Sequence, residues 1–241
     1  MNMNISGSGR IPAGKYDRIS ICGSGHLYGL VECNSFFTSG SSRGESIDCS
    51  EKFNISGSSH FSGNVKSANI SISGSFSCSK NIICTEKAVF SGSVLCGNMK
   101  CNELRVSGSF KSDSDVEAEK VKINGVINCK GLLNAEDIEI KFGRGMNIGS
   151  IGGSRIFILR ECKRKFFERL PLISSLVKKT CSNVCVESSI EGDDIEIEAV
   201  TCPRVTGRVV TVGKGCKIDL VQYSDKIEID PEANVLKTEK I

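Results

Sequence analysis

The sequence predicts an all-β fold, a right-handed parallel β-helix with three sides and turns of 17 residues. Three observations predict it: a 17-residue repeat over 17–135, alternation of β-branched and polar residues in each copy, and glycine at the breaks. Alternation with a period of two indicates strands, and a fixed repeat period indicates a solenoid. Glycine suits the tight corners between strands, and right-handed crossovers are preferred between parallel strands.

The repeat is clearest in the motif Ile-x-Ile-Ser-Gly-Ser. Its copies begin at Ile19, Phe36, Phe53, Ile70, Ala88, Leu104 and Val121, and the copy at Ala88 comes one residue late. When each 17-residue copy is numbered from the residue equivalent to Asp17, its fifth position predicts an inward column that contains Ile21, Thr38, Ile55, Ile72 and Val89. The last position holds small residues, among them Cys33, Ser50, Cys84 and Cys101. Ladders of this kind would form one continuous interior core.

The chain divides into three parts. Residues 1–156 are predicted to form the main β-helix, with 1–16 as an incomplete opening turn. Residues 157–189 interrupt the pattern, and 190–241 restore it with Ile195, Val210 and Ile227 at spacings of 15 and 17. The sequence therefore predicts one elongated body of about eleven turns, stacked at about 4.8 Å per turn.

The interruption carries a basic segment, 160–180, with a net charge of +5. Phe166, Leu170, Ile173 and Val177 follow a helical spacing, and Pro171 would divide the segment into two short helices. One interpretation is a short helical insertion that packs on the solenoid. The other is an amphipathic element that contacts a membrane surface or a partner. The candidate contact residues are Lys163, Arg164, Lys165, Phe166, Phe167 and Leu170.

Composition excludes several classes of protein. The net charge of +3 is too small to indicate an electrostatic nucleic-acid binder, and no apolar run reaches the length of a membrane span. The N-terminus lacks the apolar core of a signal peptide, so we expect a cytoplasmic protein, with peripheral contact at the inner face of the cell membrane as a variant. The 13 cysteines show no CxxC pair, which favours small buried side chains over zinc ligands or disulfides.

No catalytic constellation is evident. His26 and His60 are the only histidines and fall two turns apart on the predicted surface, and no phosphate-binding loop occurs. Asp113, Asp115 and Glu117 alternate within one turn, whereas a polysaccharide-cleaving β-helix needs a cluster of carboxylates over one face. We therefore expect no enzyme activity, no cofactor, no metal and no small-molecule substrate.

The ends of the predicted solenoid are more informative. A sheet edge presents unpaired backbone groups that invite another chain, and solenoids that stay monomeric cover their ends with polar caps. Strand-like sequence begins near Ile5 and continues to Val235. The candidate polymerisation interface comprises Ile5, Ile11 and Ile19 at one end and Ile227, Ile229 and Val235 at the other.

The repeated Ile-x-Ile-Ser-Gly-Ser motif, with a further glycine six residues later, resembles the bactofilins, polymer-forming cytoskeletal proteins of bacteria. The opening 6–17, Ser-Gly-Ser-Gly-Arg-Ile-Pro-Ala-Gly-Lys-Tyr-Asp, resembles a long Firmicutes-type branch of that family. The resemblance covers 5–156 and more weakly 190–235. It implies a right-handed three-sided β-helix that polymerises without nucleotide into non-polar filaments. It also implies a scaffold role in cell shape or envelope assembly, often at the membrane.

The sequence departs from that family in two respects. Many bactofilins carry a short hydrophobic N-terminal segment that is absent here, and their core domain is shorter than this chain. The predicted function is a cytoskeletal scaffold that self-assembles end to end, with itself and envelope-assembly proteins or the inner membrane surface as partners. The alternative is a non-polymerising β-helical scaffold that binds a protein or membrane through 160–180.

Overall fold

The computed structural model describes residues 1–160 and 183–241. These residues form strands and no helix, and every strand pairs in parallel with its neighbours in a single coiled sheet. The strands are β1 (Met3–Ile5), β2 (Ser8–Ile11), β3 (Gly14–Ile21), β4 (Ser24–Leu27), β5 (Leu30–Thr38), β6 (Ser41–Gly44), β7 (Ser46–Ile55), β8 (Ser58–Phe61), β9 (Val65–Ile72), β10 (Ser75–Phe90), β11 (Ser93–Val106), β12 (Ser109–Ser112), β13 (Val116–Ile123), β14 (Val126–Phe142), β15 (Met146–Arg160), β16 (Val184–Val186), β17 (Ser189–Ile197), β18 (Val200–Val212), β19 (Lys217–Ile229) and β20 (Asn234–Lys240). The predicted all-β parallel solenoid is confirmed.

The strand register places equivalent residues of successive turns next to each other. Met3 pairs with Ile19, Ile19 with Phe36 and Phe36 with Phe53, and near the other end Ile195 pairs with Val210 and Val210 with Ile227. The coil has about 13 turns with a spacing of roughly 17 residues. The sequence-based count of eleven was too low, because 1–16 form a turn of their own and another turn passes through Ile156.

Inward-facing side chains form one core along the coil. Phe36 stacks on Phe53 with ring centroids 5.2 Å apart, and Phe61 and Phe76 pack against Phe53 edge-on. Small residues lie among these rings: a Cβ on Gly44 would stand 2.6 Å from the Phe61 ring, and the buried Ser42 and Ser59 share a hydrogen bond of 2.6 Å. The bulky rings fill the space that the small side chains leave, which a close-packed interior requires.

The Ser-Gly-Ser corners form a column of stacked glycines. A Cβ on Gly40 would lie 2.0 Å from the carbonyl oxygen of Gly23, and the same close approach recurs up to Gly125. Of the glycines in the chain, positive φ values occur at Gly14, Gly29 and Gly215 and not in this column. The expected reason for glycine, its backbone angles, is therefore wrong for these corners, and the approach of the previous turn is the cause.

Two residues, Val89 and Ser50, do not lie in the columns that the sequence predicted for them. At the late copy, Ala88 and Phe90 face inward and pair with Ile70 and Ile72, whereas Val89 lies between them on the outer side. In the second copy Cys49 rather than Ser50 pairs with Cys33. Both shifts accompany register irregularities in β10 and β7, because an added or missing residue is absorbed at a bulge.

The interruption of the repeat does not interrupt the sheet. β15, before it, pairs directly with β16 and β17, after it. The strands reach farther than the predicted boundaries 157–189 allow, since β15 runs to Arg160 and β16 begins at Val184. The predicted helical insertion and its basic contact residues lie outside the described residues.

Candidate functional site

The C-terminal turn carries an open strand edge. Residues 226–229 of β19 pair with β18 on one side, while β20 continues the sheet only over 217–223. No strand among 1–160 and 183–241 pairs with the other edge of 226–229. This edge offers backbone N–H and C=O groups to a further strand.

Apolar side chains accompany this edge. Ile229 continues the interior column of Val212 and is 42% exposed. Ile227 and Val235 are partly buried against the core, and Leu236 nearby is 71% exposed. Interior columns thus end in apolar surface that another chain could cover.

Charged side chains at this end lie beside the apolar edge. Lys226 forms an ion pair of 2.5 Å with Glu228 on the outward side of β19. On β20, hydrogen bonds from Lys237 and Gln222 lower the pKa of the Glu239 carboxyl. Lys226 and Glu228 alternate along β19 with Ile227 and Ile229, so the positions that continue the interior columns are apolar.

The predicted interface residues of the N-terminal turn are more buried than those of the C-terminal turn. Ile5 is 9% exposed and Ile11 is fully buried, although β1 and β2 each pair with a strand on one side only. Ile19 lies one turn further in, between Met3 and Phe36, and is also fully buried. The six predicted interface residues therefore occupy two different environments, buried at this end and half-exposed at the other.

Tyr16 is a large side chain that covers part of the core at the N-terminal turn. It pairs in register with Cys33, at a column position held by small residues in later turns, and its ring packs against the core. Its hydroxyl donates a 2.9 Å hydrogen bond to the carbonyl oxygen of Pro12, next to Ile11. In the sequence, this packing is indicated by a large residue, Tyr16, at a position that holds small residues in the later turns.

The acidic residues considered for catalysis are engaged by neighbouring turns. Asp113 pairs with Lys130 at 2.8 Å, and this hydrogen bond lowers the pKa of the carboxyl. Asp115 accepts from the backbone N–H of Leu132 at 2.8 Å. Both carboxylates therefore contact the next turn of the sheet.

Within residues 1–160 and 183–241, no group of three or more histidine, cysteine, aspartate or glutamate side chains could hold a metal ion. None of the described residues forms a helix long and apolar enough to cross a membrane.

Comparison with known proteins gives two relatives, each similar to the chain over only part of its length. The chain is 30% identical over 112 residues to uncharacterized protein YhbF of Bacillus subtilis (strain 168), a match that covers 46% of the chain and 42% of YhbF. It is 31% identical over 111 residues to uncharacterized protein YhbE of the same organism, covering 46% and 44%. The matched region thus spans less than half the length of each relative. No family model matches the chain, and no solved structure matches it.

Proposed function

We propose that this protein is a structural scaffold whose rods join end to end into filaments without a nucleotide. The observation that carries the proposal is the open edge of 226–229, where backbone groups with no partner strand among the described residues lie beside the half-exposed Ile229. Addition of a strand to such an edge supplies backbone hydrogen bonds, and the apolar side chains supply burial.

The solenoid favours growth along its axis. Each turn rests only on its neighbours, so a second rod that adds to the end extends the same interactions. The sides are less suited to association, because fifteen ion pairs engage outward charges over the described faces. A contact on the sides would have to displace or desolvate these charges.

The resemblance to the bactofilins supports the same proposal. It rests on the repeated Ile-x-Ile-Ser-Gly-Ser motif and the opening 6–17, and it implies nucleotide-independent filaments with a scaffold role in cell shape or envelope assembly. We propose a cytoplasmic polymer of this kind, with envelope-assembly proteins or the inner membrane surface as partners.

The test is a charge placed at the open edge. Ile229→Arg adds a cation to a position that is already half-exposed, so the fold should persist while the junction is lost. The matched control is Ile83→Arg, since Ile83 is 37% exposed on the side of the rod. We expect negative-stain images to show filaments for the wild type and the control and short rods for Ile229→Arg. Filaments of unchanged length in Ile229→Arg would overturn this interface.

A further inference from the structure

One outward column near the N-terminal end carries stacked basic side chains. Arg10 pairs in register with His26, His26 with Arg43 and Arg43 with His60. All four are exposed, and successive members lie about 4.8 Å apart along the axis, as parallel strands do. Two guanidinium groups therefore stand two turns apart, with an imidazole between them.

This column differs from the charged columns elsewhere on the rod. Lys15 pairs with Glu32 at 2.8 Å, and Lys122 pairs with Glu139 at 2.8 Å, in each case across adjacent turns. Arg10 and Arg43 have no ion-pair partner among the residues that the structure describes. The two guanidinium groups lie about 10 Å apart along the axis, so one anionic chain lying against the column could interact with both charges.

Three members of the column, Arg10, His26 and Arg43, line an open groove of about 420 Å³, and His60 continues the column in the next turn. The other wall of the groove is a parallel column of exposed serines, Ser8, Ser24 and Ser41. No acidic residue occurs in the four stretches that form this side, 6–11, 22–27, 39–44 and 56–61. Cations, hydroxyl donors and the absence of carboxylates in these stretches together make the groove complementary to an anion.

Two contacts orient the imidazoles. His26 stacks on Tyr28 with ring centroids 4.2 Å apart, and His60 shares a 2.7 Å hydrogen bond with Ser77 through Nδ1. The rings therefore stay in line with the arginines along the groove.

We propose that this groove binds a linear polyanion that carries repeated phosphate groups. Arginine recognises phosphate through paired N–H donors, and serine hydroxyls donate to the remaining oxygens. The groups repeat along one line over about four turns, which suits a chain lying parallel to the axis. A planar lipid surface would instead be met by cations spread over a wide face. The groove starts at the N-terminal end of the rod, on β2, and so lies at the opposite end from the open edge of 226–229 that carries the filament proposal.

The test uses the full chain and short-chain inorganic polyphosphate as the probe. The variant is Arg10→Gln with Arg43→Gln, and the matched control is Lys52→Gln with Lys120→Gln, which removes two exposed cations from another face. Isothermal titration calorimetry should show polyphosphate binding that weakens about tenfold or more in the arginine variant, since each lost charge-assisted hydrogen bond is worth a factor of about ten. The lysine variant should stay within about twofold of the wild type.

Three outcomes would overturn the proposal. The first is equal weakening in both variants, which would indicate nonspecific attraction by the net charge. The second is no measurable binding of polyphosphate to the wild type at low salt. The third is binding to phosphatidylglycerol vesicles with none to soluble polyphosphate, which would indicate a lipid surface. Circular dichroism melting curves of both variants should match the wild type, since all four side chains are exposed.

Discussion

Gly57 lies directly against the carbonyl oxygen of Gly40 in the preceding turn, so that a Cβ placed on Gly57 would stand 1.9 Å from it. Hydrogen bonds on both sides hold this approach: Ser56 donates its N–H to the carbonyl of Thr38 at 2.8 Å, and Ser58 donates to that of Gly40 at 2.9 Å. The corner therefore fixes the distance along the axis between one turn and the next. The same contact repeated along the column keeps the faces in register.

Alanine at Gly57 should disrupt this corner. The added methyl group would force the turns apart and lengthen the two flanking hydrogen bonds, so we expect a loss of about 2–4 kcal/mol in the free energy of unfolding. The control is Gly7→Ala in the same column, since nothing lies within 4 Å of a Cβ at Gly7. Urea denaturation measures both. Equal stability of the two variants would contradict the packing reason for the glycine column.

Thr38 provides a test of the interior. Its hydroxyl is buried and has no hydrogen-bond partner in the part of the chain that the structure describes. Thr38→Val removes the unsatisfied group at nearly constant shape, so we expect a gain of about 1 kcal/mol in the free energy of unfolding. Thr211→Val on the outer side of β18 is the control, with an expected change within about 0.5 kcal/mol. A loss of stability in Thr38→Val would mean that the hydroxyl has a partner.

The cysteines that the structure describes should divide into an exposed class that alkylating reagents modify and a buried class that they do not. Cys22 and Cys185 are exposed, whereas Cys84 and Cys96 are buried. Burial raises the pKa of Cys84 to about 11 and that of Cys96 to about 12, so at pH 8 these thiols stay protonated and react slowly. Alkylation with iodoacetamide followed by peptide mass spectrometry should label the exposed pair in the native protein and the buried pair only in urea. Fast native labelling of Cys96 would contradict its interior position.

Cys33 and Cys49 should be the least reactive pair. Their sulfur atoms lie 3.3 Å apart inside the coil, and this hydrogen bond, with burial, raises the pKa of the Cys49 thiol. In the same alkylation experiment both should stay unlabelled until the protein unfolds. Labelling at the rate of Cys22 would contradict the buried contact.

The basic segment permits a separate test of membrane contact. If 160–180 binds an anionic surface, the wild type should float with phosphatidylglycerol liposomes at low salt. The variant Lys163→Glu, Arg164→Glu, Lys165→Glu changes the net charge of the segment from +5 to −1 and should stay in the soluble fraction. Flotation of both proteins, or of neither, would contradict a membrane role for these residues.

Most of the fold could be predicted from the sequence because the repeat is local and regular. Columns through Ile19 and Ile195 follow from spacing alone. Spacing misplaced Val89 and Ser50, since it does not show where an added or missing residue is absorbed. It also missed the turn through Ile156, which lies close to the interruption of the pattern.

The candidate site was harder to predict. Membership in an end turn was the criterion for choosing Ile11 and Ile229, yet Ile11 is buried and Ile229 half-exposed. The exposure of Ile229 depends on how far β20 extends along β19, and the path of the last strand cannot be predicted from the spacing of the repeat. The basic column was only partly evident: spacing placed His26 and His60 two turns apart, whereas Arg10 joins them through the pairing of β2 with β4 in the opening turn.

The most direct test of end-to-end assembly is the axial repeat of the filaments, measured by cryo-electron microscopy. Rods of about 13 turns at about 4.8 Å per turn should give one subunit per about 62 Å of filament, or a repeat of twice that length if alternate rods are reversed. The strand spacing itself should appear along the filament axis. A much shorter axial rise per subunit, or strand spacing across the axis, would show side-by-side packing and contradict the proposed junction.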